Sequence, residues 1–245
     1  MGGRPSRTPP PMNAKNAETT AGPGGYAMDA FEAARYLRWP EDAVTKDALR
    51  QLEDMGRELS SAAPPRLVWR VLPRTPEGCE GLRLPGADIS ALLRDAEQVI
   101  VAACTLGEAA SRAARRAFLT DMARGVMADA CLSAIVEEKM DRFERERTSA
   151  YLARGLYLTD RFSPGYGDLP LTVQKDLCDI LDTRRTLGLA VNESMLLIPE
   201  KSVTAVMGVC PTPQKHRAAA EKDGCARCAA FENCVFRLQG RACHG

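Results

Sequence analysis

The chain has 245 residues, 45% of them hydrophobic, and a formal net charge of +1. That is enough apolar material for one domain with a small appendage, and too little net charge to capture nucleic acid or an anionic membrane electrostatically. No apolar run reaches the length of a membrane span and the N-terminus lacks a signal-peptide core, so the expectation is a cytoplasmic protein with neither nucleic acid nor membrane as partner.

Residues 1–25 are rich in Pro, Gly, Thr and Asn and nearly free of bulky apolar groups, the composition of a disordered tail. A first helix is expected from Asp29, with Phe31, Ala34 and Leu37 on one face. Pro40 ends it and suits the first turn of a second helix within 41–60, where Leu49, Leu52, Gly56 and Leu59 recur at helical spacing. After Pro64-Pro65, Arg66–Leu72 has the β-branched and aromatic content of a strand, and a Pro/Gly-rich connection follows to Gly86.

A short helix over Ile89–Asp95 precedes Gln98–Cys104, whose nearly continuous apolar run reads as a buried strand. The turn Thr105-Leu106-Gly107-Glu108 has two readings, an anion-holding strand-to-helix turn or a tight turn that needs glycine. From Glu108 to Arg154 the pattern predicts one long helix or two, with Phe118, Met122, Val126, Ala130 and Ile135 on the buried stripe. Asp141–Arg147 (DRFERER) reads as a solvated helical face. Leu169–Leu187 is a further helix with Leu177, Ile180 and Leu181 inward and Gly188 at its C-terminal cap. Met195–Ile198 and Val203–Val209, joined by Pro199–Ser202, form the expected β-hairpin. Helices, strands and a long helical block in this order give an α+β fold.

Between the long helical block and the next helix lies Arg161–Gly167, R-F-S-P-G-Y-G. Two glycines and a proline do not build an element interior, and the segment reads on composition as a surface turn. It also has the makings of a ligand loop, in which backbone approaches a ligand closely beside a charge and an aromatic face.

The order of RFSPGYG, Leu169-Pro170-Leu171, Asn192-Glu193-Ser194 and Pro199–Gly208 (PEKSVTAVMG) resembles the activation domain of vitamin-B12-dependent methionine synthase, in particular its stand-alone relatives. The likeness spans about residues 30–209 and is specific over 161–208. It implies a C-shaped α+β domain, residues 26–209, with a bent antiparallel sheet surrounded by helices. It implies reactivation: S-adenosylmethionine is bound and its methyl group delivered to oxidised cobalamin on a partner while a donor such as flavodoxin or ferredoxin supplies an electron. The partner is the cobalamin-binding methionine synthase core or another corrinoid protein, since no D-x-H-x-x-G occurs in the chain. By motif position Arg161, Ser163, Gly165 and Glu193 are expected at S-adenosylmethionine, and Pro164, Tyr166 and Gly167 toward the cobalamin. Arg161 would hold the ligand carboxylate through paired charged hydrogen bonds. Glu193 would bind its amino group or merely cap the hairpin. Ser163 replaces an alanine common in the family, a change that a backbone contact tolerates. The family's N-terminal acidic contact has only Asp29 and Asp42 as candidates. No general acid or base is implied; the chain would be an accessory to a methyltransferase rather than a catalyst with its own reacting group.

Five of the nine cysteines fall in residues 210–245. Cys210, Cys225, Cys228 and Cys234, spaced C-x14-C-x2-C-x5-C, suit a [4Fe–4S] cluster or zinc, with disulfides third. The short basic tail lacks the apolar surface to fold alone, so a metal would order it. A cluster would make the chain a redox-linked activator of another corrinoid methyltransferase; zinc would make the tail a staple, or the whole chain a non-catalytic interaction module. Only two histidines, His216 and His244, are present, so His-based sites are not expected in the body of the chain.

Overall fold

The computed structural model describes residues 28–40 and 43–214, and the backbone of 16–19. Asp42, Cys225, Cys228, Cys234 and both histidines therefore lie outside the described residues, as does most of the N-terminal tail.

The chain runs β1 (Asn16–Thr19), α1 (Ala30–Tyr36), α2 (Lys46–Ala62), β2 (Arg66–Thr75), β3 (Gly78–Cys79), β4 (Leu82–Arg83), α3 (Ala87–Leu92) and β5 (Gln98–Thr105). It continues with α4 (Gly107–Thr120), α5 (Met122–Leu152), β6 (Tyr157–Leu158), α6 (Val173–Leu181), α7 (Thr183–Leu187), β7 (Ala190–Val191), β8 (Leu197–Ile198) and β9 (Ser202–Cys210). The fold is α+β, with a bent antiparallel sheet and helices on both faces. The sheet order is β4-β3-β2-β5-β9-β6, and β1 pairs with β2. That strand differs from the expectation of a wholly disordered tail over its four residues.

Period-two alternation in the central strands builds two cores. Leu67, Trp69, Val71, Ile100, Ala102, Cys104, Ala205 and Met207 meet α1, α2, α4 and α5 on one face. Val68, Leu72, Val99, Val101, Ala103 and Val206 meet α3, α6 and α7 on the other. Strand β5 has partners on both sides, β2 and β9, which is why its apolar run is nearly continuous.

Several expectations are corrected. Strand β9 does not form a hairpin with Met195–Ile198; it pairs along its whole length with β5, and the hairpin is the small one between β7 and β8. A buried central strand needs two full-length partners, and the nine residues of β9 supply the second. The helix expected over Leu169–Leu187 begins at Val173 and breaks at Asp182, which is left-handed at φ 53°. Pro40 does not open α2, which is capped instead by the Thr45 hydroxyl accepting from Ala48 N–H at 3.2 Å. Of the two forms expected for the long helical block the structure has the second, two helices, because Asp121 is extended and its carboxylate caps α5. That break turns Phe118, Met122 and Val126 out of the buried stripe, leaving them 39%, 69% and 46% exposed, while Ala130 and Ile135 are buried.

Candidate functional site

The Arg161–Gly167 loop is anchored by its second residue. Phe162 forms a two-way backbone bridge with Val206, at 2.9 and 2.8 Å, and buries its ring in the second core. With Phe162 pointing to that face, Arg161 is delivered to the opposite one, against α5. There its Nε donates to Glu144 at 2.8 Å, one terminal nitrogen reaches Glu137 at 3.5 Å, and the other bonds Asp141. The three carboxylates recur at i, i+4 and i+7, so one stripe of α5 grips the guanidinium. This overturns the solvated-face reading of Asp141–Arg147: Phe143 is core, Asp141 and Glu144 meet Arg161, and Arg142 and Arg145 remain exposed.

The cluster is partly desolvated, the Arg161 side chain being 19% exposed. Burial works to lower the Arg161 pKa, but Asp141, Glu144 and Glu137 together more than offset it and hold it above the usual value. Burial pushes the Glu137 and Glu144 carboxyls up, against the opposing pull of Arg161. Helix α1 closes a further side: the Tyr36 phenol is pushed up by burial and then by Glu137, with Glu32 and Tyr166 acting the same way. Three carboxylates from one stripe of α5 thus engage three of the five N–H donors of one guanidinium.

The rest of the loop is a fixed turn. Gly165 N–H is donated to the Leu169 carbonyl at 2.9 Å, and Tyr166 N–H to the Ser163 carbonyl at 3.1 Å. Asp168 then caps α3 from a distance, its carboxylate accepting from Ala87 N–H and, at 3.1 Å, from Asp88 N–H. Gly167 sits at φ 52°, where a Cβ would fall 2.3 Å from the Asp88 carboxylate and 3.1 Å from the Phe162 ring. Tyr166 projects at 69% exposure. Of the residues expected to face a corrinoid, Tyr166 and Gly167 are at the surface and Pro164 is buried. Ser163 is half-buried and Gly165 exposed, but the Gly165 N–H expected near a ligand is already engaged within the loop.

Glu193 is exposed in the turn between β7 and β8, a hairpin that packs against α6. Asp29 is the N-cap of α1, accepting from Phe31 N–H at 2.8 Å. The Thr105–Glu108 turn is packed rather than open: Gly107 is buried at φ 69° and its N–H is donated to the Thr105 hydroxyl at 2.9 Å. Cys210 ends β9 with its side chain in the second core, and burial, then Asp95 and Glu97, push its thiol up to about 11. Among the described residues no group of three or more His, Cys, Asp or Glu side chains is arranged to hold a metal. The residues missed from sequence are Glu137, Asp141, Glu144 and Tyr36; the i, i+4, i+7 spacing was the available signal.

No family model matches the chain, and no curated protein does. Among solved structures, the crystal structure of the MetH reactivation domain bound to AdoHcy is similar, at 17% sequence identity and a TM-score of 0.48. The match covers 86% of this chain and 74% of that one.

Proposed function

We propose that the chain is a reactivation subunit that binds S-adenosylmethionine and presents its methyl group to cobalamin carried by a partner, the methionine synthase core foremost. The observation that carries this reading is the Arg161–Gly167 loop itself. Its arginine is seated among three α5 carboxylates, and five residues on, an exposed tyrosine projects from a turn fixed at both ends.

The cluster fits the ligand's charges. S-adenosylmethionine presents an ammonium and a sulfonium together with one carboxylate. Three carboxylates around a single guanidinium leave a surplus of negative charge for the two cations. The two Arg161 N–H donors beyond those three contacts suit the ligand carboxylate. Arg161 therefore acts as organiser of the carboxylate stripe as well as anion holder, a wider role than the motif implies. The exposed Tyr166 ring offers a flat amphipathic face to a corrin macrocycle.

The chemistry is supplied by the substrates. One electron from an external donor of the flavodoxin or ferredoxin class reduces cob(II)alamin, the cobalt electron pair takes the methyl group as the S–CH3 bond breaks, and neutral S-adenosylhomocysteine leaves with methylcobalamin formed on the partner. This chain contributes positioning and exclusion of water, and no proton moves through it. Loss of the sulfonium charge also weakens the hold of the carboxylates on the product, which favours release.

Calorimetric titration of the purified chain with S-adenosylmethionine tests the reading. Saturable binding that Arg161→Ala weakens by about 1.5–3 kcal/mol is expected. No heat at millimolar ligand would overturn it.

A further inference from the structure

The corner between α4 and α5 holds apolar side chains in solvent. Leu119 is 84% exposed and Met122 69%, with Val126 at 46% and Phe118 at 39% beside them. The corner is stiff. The Asp121 carboxylate accepts from Ala123 and Arg124 N–H at 3.1 and 3.3 Å, and the Phe118 ring lies over Gly125, where a Cβ would come within 2.2 Å of it. These residues are therefore presented in a fixed arrangement.

Arg112, Arg115 and Arg116 precede Leu119 at helical spacing and share its face of α4. All three are exposed, and their guanidinium groups have no ion-pair partner among the described residues. Of the other α4 side chains on that face only Glu108 is acidic. The remaining corner arginine, Arg124, is paired with Glu58 at 3.1 Å. Alongside runs a groove of about 210 Å³, lined by Met55, Leu59, Ala113, Arg116 and Arg124. A second hollow of about 190 Å³, lined by Tyr36, Phe118 and Val126, carries apolar surface from the corner to Tyr36. The same hollow is lined by Asp129 and Ser133, which share one stripe of α5 with Glu137, the partner of Arg161 at 3.5 Å.

We propose that the α4–α5 corner is the docking surface for an acidic protein, and that this protein is the corrinoid carrier, an assignment that rests on the proposed function. Two features select a protein over a bilayer. Arginine, methionine and phenylalanine, without lysine, are the residues enriched in protein interfaces. The surface is also grooved rather than flat. Unpaired guanidinium groups around an apolar knob call for carboxylates around an apolar recess on the partner. That α5 stripe leads from the corner toward the Arg161 cluster, so a protein seated over the cluster extends along α5 toward Leu119 and Met122.

The test uses the full chain and the cobalamin-loaded methionine synthase core from the same genome, with binding followed by light scattering or interferometry. The double variant Arg112→Glu/Arg116→Glu and the single variant Leu119→Ser are each expected to weaken docking at least about tenfold at low salt. Wild-type affinity is expected to fall steeply as salt rises, and the charge-reversed variant to lose that dependence. Calorimetric S-adenosylmethionine binding by both variants should match wild type, since neither touches the Arg161 cluster. Variants that dock like wild type while binding S-adenosylmethionine overturn the docking proposal and leave the proposed function standing. Failure of wild-type chain to bind S-adenosylmethionine is instead the failure of the proposed function. Binding of phosphatidylserine vesicles that the same substitutions abolish, with no binding of the core, would identify a membrane surface and overturn the proposal.

Discussion

The Arg161 guanidinium and the Glu144 carboxylate, 17 residues apart, meet at 2.8 Å and tie the loop after β6 to the face of α5. Glu137 and Asp141 complete the grip from the same stripe. The loop is thereby fastened by charge on one side of the sheet and by Phe162 on the other.

Because the carboxylates are partly desolvated, removing their common partner is costly. Arg161→Ala is expected to destabilise the fold by about 2–4 kcal/mol, measured as a fall in the urea midpoint at unchanged m-value. Arg161→Lys is expected to recover little, since a single ammonium cannot engage three carboxylates in the planar fork that arginine presents. A wild-type midpoint in Arg161→Ala would show that the cluster contributes nothing to stability.

The same burial sets a pH dependence. Glu137 and Glu144 have folded pKa values above the ordinary 4.5, with burial as the first cause. The native state therefore binds protons more tightly than the unfolded chain. The stabilisation this gives is present in full below 4.5 and is lost as pH rises from there through the raised values. Glu137→Gln/Glu144→Gln is expected to flatten that part of the thermal-midpoint profile relative to wild type. Binding of a cationic ligand should move the other way, tightening as the two carboxyls ionise.

Backbone geometry separates two glycines that look alike in sequence. Gly167 and Gly188 are both left-handed, at φ 52° and 65°, but a Cβ at Gly167 would strike Asp88 and Phe162 while one at Gly188 meets nothing within 4 Å. Gly188→Ala should cost about 1 kcal/mol, the conformational strain alone. Gly167→Ala should cost about 2–4 kcal/mol, adding steric displacement of the α3 N-terminus. Equal losses in chemical denaturation would contradict the packing described for the loop.

What was legible in the sequence divides by range. Strand β5 was readable because both its faces are buried, and the cap at Gly188 because it is local chemistry. The α5 stripe was not: Glu137, Asp141 and Glu144 have helical spacing, but Arg142, Arg145 and Arg147 interleave with them, and a mixed-charge helix looks the same whether or not a distant arginine meets one face. That meeting depends on contacts 17 to 24 residues away. The partner of β9 was missed for a related reason. Pro199–Ser202 is a turn, as read, but the turn leads β9 away from β8 and onto β5.

The cysteine tail yields a sharper expectation than its spacing alone. With the Cys210 thiol in the core and pushed up to about 11, Cys210→Ser should leave the iron or zinc content of anaerobically purified protein unchanged. Where the tail holds iron or zinc through its other thiols, Cys225→Ser, Cys228→Ser and Cys234→Ser should each lower that content, and wild-type protein free of both metals would refute the expectation of a metal-ordered tail. Elemental analysis with visible spectra checks this, and metal loss in Cys210→Ser would mean that the end of β9 opens to ligate.

The central claim is tested most directly by reconstitution. Cob(II)alamin-loaded methionine synthase core lacking its own activation domain is mixed with an electron donor, S-adenosylmethionine and this chain, and the cobalamin spectrum is followed. The account predicts methylcobalamin only when chain and S-adenosylmethionine are both present, with the yield sharply reduced by Arg161→Ala and by Tyr166→Ala. Methylcobalamin formed equally well without the chain, or none formed by a chain that binds S-adenosylmethionine and docks to the core, would contradict it.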